Sequence, residues 1–120
     1  MNLLSPHPDA LLNERIDVLA RGRGDFRLER IVSRQHASPP GFWYDQDTVE
    51  WVFLLQGSAT LSLEESDGQI RRIHLKPGDF LELPAHLRHR VDETDPVADT
   101  VWVALHGSAP AGCGNDAGSS

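Results

Sequence analysis

Apolar and polar residues alternate along most of this chain, and the alternation restarts after each turn signal. Phe26 and Leu28 interleave with Arg27 and Glu29, and the run continues through Ile31 and Val32 towards Gln35. Further runs cover Val49–Gln56, Ala59–Glu64, Ile70–Leu75, Phe80–Leu83, Leu87–Val91 and Thr100–His106, the last with Val101, Val103 and Leu105 on one face. A period of two sends successive side chains to opposite faces, so each run predicts a strand. Between them lie Ser38-Pro39-Pro40-Gly41, Gly57-Ser58, Asp67-Gly68, Lys76-Pro77-Gly78-Asp79, Pro84 and the Asp92–Pro96 loop. Proline cannot donate to a ladder, and glycine accepts positive φ without penalty. Asp67-Gly68 therefore predicts a tight hairpin, and Lys76–Asp79 a type II turn. Seven or eight short strands at regular intervals predict an all-β barrel or sandwich.

The ends differ. Residues 1–8 read as a loose leader. Over Asp9–Ala20, Leu11, Leu12, Ile16 and Leu19 fall near helical spacing, which predicts a short N-terminal helix ended by Arg21-Gly22-Arg23-Gly24. From Gly107 onward, small and polar residues predict a flexible tail. The expected organisation is leader and helix over 1–24, barrel over 25–106 and tail over 107–120.

The strand Val49–Gln56 is apolar on both sides. Glu50, Val52 and Leu54 share one face, and Trp51, Phe53 and Leu55 the other. Both faces are expected to be buried. The second would meet the opposite sheet edge, the N-terminal helix or another subunit, so a homodimer is an expectation.

Composition narrows the partners. With 120 residues and no second composition block, the chain is one domain. A net charge of −7 with scattered arginines argues against nucleic acid, whose phosphates require a basic patch. The single cysteine, Cys113, excludes an intrachain disulfide, and nothing near it would activate it as a nucleophile. The N-terminus lacks the basic and apolar regions of a signal peptide. The longest apolar run, Trp51–Leu55, is too short to cross a bilayer. A cytoplasmic protein without membrane contact is expected.

Two motifs carry the chemistry, Glu50-Trp51-Val52-Phe53-Leu54-Leu55-Gln56-Gly57 and Pro77-Gly78-Asp79-Phe80-Leu81-Glu82-Leu83-Pro84-Ala85-His86-Leu87-Arg88-His89. Over about residues 25–106 the chain resembles the cupin superfamily of small jelly-roll barrels. Glu50 and Gly57 keep the Glu-to-Gly spacing of the family's first motif. Gly78, Pro84 and His89 match its second motif. The resemblance implies a jelly-roll fold, a divalent transition metal held by three histidines and a glutamate, and oxidation, isomerisation or lyase chemistry on a small molecule. The departures bear on that ligand set. Tyr44 and Gln46 occupy the His-x-His positions, and His86 replaces the second-motif glycine.

If residues 44–54 were extended, Tyr44, Gln46, Glu50 and Leu54 would share a side, as would Leu87, His89 and Val91. In a cupin those sides face the interior. Metal ligation then falls to Glu50 and His89, completed by Gln46 or His86. Tyr44 would serve as a ligand or as a general acid/base. A phenol binds metal well only when deprotonated, and its reference pKa is about 10, so weaker metal binding than in a regular cupin is expected. His86 would reach the site only through the turn; otherwise it sits exposed at the barrel mouth. Buried Glu50 needs a partner: metal, His89, Arg88 or Arg90. Phe42 and Trp43 would pack the barrel end rather than line a pocket. His36, His74 and His106 read as ordinary strand or loop histidines. The expected function is a metal- and small-molecule-binding cupin of unassigned reaction. The alternatives are a metal-free binding or sensing barrel and a structural dimerising module.

Overall fold

The computed structural model describes residues 2–5, 14–22 and 26–108. Eight strands follow in chain order: β1 (Glu14–Gly22), β2 (Phe26–Ser33), β3 (Val49–Gln56), β4 (Ala59–Glu64), β5 (Ile70–Leu75), β6 (Phe80–Leu83), β7 (Arg88–Thr94) and β8 (Thr100–Gly107). They form two antiparallel sheets, ordered β1-β2-β8-β3-β6 and β5-β4-β7. Leu54, Val52, Leu61, Leu63, Leu75, Leu83, Trp102 and Ala104 from both sheets make one buried core. The Trp102 indole N–H, a donor that burial obliges to find a partner, donates to Ser33 Oγ at 3.1 Å.

The expected N-terminal helix is corrected in part. Residues 9–13 lie outside the described residues, while Glu14–Ala20 belong to strand β1. The helical spacing drew Leu11 and Leu12 from the first of these stretches. Glu14–Gly22 has an alternation of its own, with β-branched Ile16 and Val18 alternating with Arg15 and Asp17. Pairing fixes the outcome: Asp17 lies opposite Arg30 in the β1–β2 register and accepts two hydrogen bonds from that guanidinium, at 3.0 and 3.3 Å. Among the described residues the sheet runs from Glu14. The tail from residue 109, with Cys113, lies outside the described residues.

The turns follow the glycines. Asp79 N–H donates to Lys76 O at 2.9 Å, with Gly78 at φ 95°. At the other hairpin the loop is one residue longer than Asp67-Gly68 alone predicts. Gly68 N–H closes on Glu65 O at 2.9 Å, and Glu65 N–H reaches Gln69 O at 2.8 Å. This is a turn followed by a left-handed glycine, the usual form of a three-residue hairpin. Strand β7 runs on to Thr94, through residues expected in a loop, because it pairs with β4 as far as Ala59.

The outer face of β3 is only partly covered among the described residues, with Trp51 and Leu55 half-buried. Val52 and Leu54 are buried on the inside, while Phe53 is 39% exposed. Its ring packs against the half-exposed Phe80 of β6, with centroids 4.7 Å apart.

Candidate functional site

Between the sheets lies a cavity of about 200 Å³, whose lining combines polar residues with apolar ones such as Ile31, Val52, Leu61 and Trp102. Strand parity explains the lining. Glu50 lies opposite His106 across β3–β8, and Glu29 opposite Ala104 across β2–β8. Residues two apart along each strand then face the same interior. His89 enters from the second sheet. The segment before β3 is laid against β7 by two backbone bonds: Tyr44 N–H to His89 O at 2.7 Å and His89 N–H to Tyr44 O at 3.1 Å. The Arg90 guanidinium holds the same segment through the carbonyls of Ser38, Pro39 and Phe42.

Four buried titratable side chains, Glu29, His106, Glu50 and His89, form a row. Arg27 Nε donates to Glu29 Oε2 at 2.6 Å. Glu29 Oε1 lies 3.1 Å from His106 Nε2. The same nitrogen lies 3.6 Å from Glu50 Oε2, and Glu50 Oε1 lies 3.9 Å from His89 Nε2. Glu50, His89 and His106 are 8%, 6% and 6% exposed. His89 Nδ1 stands 3.0 Å from Leu87 O. A carbonyl only accepts, so Nδ1 carries the hydrogen and Nε2 turns a lone pair to the cavity. Tyr44 stacks on the His89 ring, with centroids 5.3 Å apart. Among the described residues, no hydrogen bond reaches the Glu50 carboxylate.

Burial dominates the electrostatics. Loss of solvation raises the Glu50 carboxyl to about 7, aided by the charge of Glu29 and opposed by Arg27. Desolvation likewise lowers His89 against the bond to Leu87 O, and lowers His106 against the attraction of Glu29. Tyr44 is raised by burial and then by the charges of Glu14 and Glu50.

Of the expected site residues, Tyr44, Gln46, Glu50 and His89 all line the cavity. His86 does not. It sits in the turn at φ 65°, exposed, with Nδ1 2.9 Å from Asp45 Oδ1. Neither arginine proposed as a Glu50 partner takes that role: Arg88 pairs with Glu64 and lies over the Trp43 ring, and Arg90 pairs with Asp92. Two residues of the row escaped sequence reasoning, Glu29 and His106. Their signal was parity: His106 continues the face of Trp102 and Ala104, opposite to Val101, Val103 and Leu105.

The four-ligand ion centre that the family pattern implies is not reproduced. Tyr44 and Gln46 stand at two ligand positions, and His86 is directed elsewhere. The buried groups run in a row, and among the described residues no three His, Cys, Asp or Glu side chains are grouped as an ion would require.

The fold is that of a cupin, and comparison with known proteins agrees. A solved protein of Ralstonia eutropha JMP134, provisionally named a mannose-6-phosphate isomerase, is 43% identical; the match covers 91% of this chain and 97% of that one, with a TM-score of 0.80. A cupin superfamily protein of Desulfitobacterium hafniense DCB-2 shares the fold at 15% identity, with a TM-score of 0.63 over 80% of this chain and 78% of that one. A 3-hydroxyanthranilate 3,4-dioxygenase of Paraburkholderia phytofirmans is 36% identical over 70 residues, 58% of this chain and 38% of the dioxygenase. The match thus spans well under half of that enzyme. No protein-family model matches the chain. The chain belongs to the cupin superfamily. No helix among the described residues is long and apolar enough to cross a membrane.

Proposed function

We propose that this cupin binds a small molecule inside its barrel, anchored at Glu50. One observation carries the reading: a buried carboxylate facing two imidazoles at a cavity, with no hydrogen bond from any described residue. Buried polar groups in folded proteins are almost always satisfied, so the missing partner is the ligand. Gln46 and Tyr44 offer it further polar contacts, and the apolar lining residues take its body. The test is an NMR screen of small alcohols, amines and carboxylic acids against isotope-labelled protein. Hits should move the signals of Gln46, Glu50, His89 and His106 together. Hits confined to other surfaces, or no hits, refute the reading.

A second reading has the same observation in its favour: a divalent transition ion held by Glu50 and His89, whose Nε2 lone pair is free for it. Such an ion would act as a Lewis acid on a bound molecule. Metal analysis of protein purified without an affinity tag tests it, with Glu50→Ala and His89→Ala as controls. We also propose that the chain forms a homodimer through the partly exposed apolar face of β3 and β6, where the Phe53 and Phe80 rings pack together, and that it works in the cytoplasm.

A further inference from the structure

We propose that the barrel holds a metal-independent centre. In it the Nε2–H of His106 donates to Glu29 and faces Glu50, so that a hydrogen stands where a ligand lone pair for an ion would otherwise be. The centre takes an uncharged or cationic small molecule through a hydroxyl or amine at Glu50 and His89. The proposal rests on the cavity reading above and names the class of ligand.

Counting hydrogens leads there. An imidazole nitrogen 3.1 Å from a carboxylate oxygen must carry the hydrogen, since two bare lone pairs would repel. His106 Nε2 is therefore a donor, and its second neighbour is Glu50 Oε2 at 3.6 Å. To ligate an ion it would have to lose that hydrogen and its bond to Glu29. The Arg27–Glu29 contact at 2.6 Å holds Glu29 in place behind it. Motif positions 44 and 46 supply no imidazole in compensation, and His86 is engaged by Asp45.

The same count fixes what the ligand must bring. His89 Nε2 and Glu50 Oε1 lie 3.9 Å apart and both line the cavity; an amine between them could donate one hydrogen to each, and a hydroxyl could donate to His89 while accepting from Glu50 in its protonated form. Three carboxylates line the cavity, those of Glu14, Glu29 and Glu50. Arg27 is the only arginine or lysine lining it among the described residues, and Glu29 already engages it. An anionic ligand would find no free arginine or lysine among the described lining residues and would add its charge beside the carboxyl groups of Glu14 and Glu50 in a partly desolvated space.

Two measurements on the wild-type protein test this. Long-range nitrogen–proton NMR should show His106 as the Nε2–H tautomer, and one equivalent of zinc chloride should leave the ring nitrogens of His106 and His89 unmoved. Among cavity-binding fragments of one skeleton (benzyl alcohol, benzylamine, benzoate), the alcohol and amine should bind at least about tenfold more tightly than the carboxylate. A bare His106 Nε2, a shift of either histidine's ring nitrogens on adding zinc, or preference for benzoate overturns this proposal while leaving the cavity reading intact. A screen that finds no cavity ligand sinks both.

Discussion

Replacing Glu50 with glutamine should change how stability depends on pH, and the sign follows from the direction of the shift. The native carboxyl titrates at about 7 against an ordinary 4.5, mainly because it is desolvated. Below pH 4.5 both folded and unfolded chains are protonated at this site, and Glu50 costs nothing. Above it the unfolded chain releases the proton while the folded one retains it, so stability falls as pH rises towards 7. At about 1.4 kcal/mol per pKa unit the loss is about 3 kcal/mol, reached near pH 7 and constant beyond. His89 and His106 act in the opposite direction. Their lowered values make the folded chain resist protonation below 6.5, so their contribution is lost as pH falls. Glu50→Gln preserves shape and removes only the first effect. Urea unfolding of both proteins from pH 4.5 to 8 isolates it as a difference curve. The wild type should lose about 3 kcal/mol relative to the variant across that interval. A flat difference would refute burial as the main influence on this carboxyl. A wild type that gains on the variant with rising pH would show that Glu50 is stabilised as an ion, as a bound cation would do.

The remaining predictions address the other parts of the molecule. Tyr44 is the only tyrosine in the chain, so tyrosinate absorbance reports it alone; its midpoint should lie above the ordinary 10 and fall back towards it in Glu50→Gln, whose charge is one of the causes. A midpoint at or below 10 would contradict its burial beside Glu14 and Glu50. Gly57→Ala should cost at least about 2 kcal/mol, because φ is 85° and an added Cβ would lie 2.6 Å from Thr100 Oγ1. Gly78→Ala, at φ 95° but with nothing within 4 Å, should cost only about 1 kcal/mol in the same thermal melts. Phe53→Asp should convert a dimer to a folded monomer, read by light scattering and circular dichroism; a wild type already monomeric would remove the dimer proposal.

The strands were legible because each rests on local information. Val49–Gln56, Ala59–Glu64, Ile70–Leu75 and Phe80–Leu83 emerge with the bounds that alternation and turn residues give them. The N-terminal strand was not legible, because a strand on the sheet edge is decided by its neighbour. Ile16 and Leu19 suit a helix as well as a strand until Arg30 of β2 engages Asp17. The exposure of Phe53 was equally hidden: an apolar residue signals that burial is favourable, not which surface provides it.

The site divides along the same line. Glu50 and His89 were found by motif spacing, and the need of Glu50 for a partner follows from its charge and the apolar residues around it. The identity of its neighbours does not, since Glu29 and His106 lie on strands 21 residues before and 56 residues after it and meet only through the β2–β8–β3 register. A slip of one residue in either pairing would turn Glu29 or His106 out of the cavity. In sequence, each reads as one more polar residue of an alternating strand. What makes them a site is that two ladders, each set by its own hydrophobic pattern, bring a carboxylate and an imidazole to the same side of one sheet. The arrangement then binds the pieces together energetically: removing Glu29 leaves His106 Nε2–H with only the more distant Glu50 oxygen, and removing His106 leaves two buried carboxylates with no imidazole hydrogen between them.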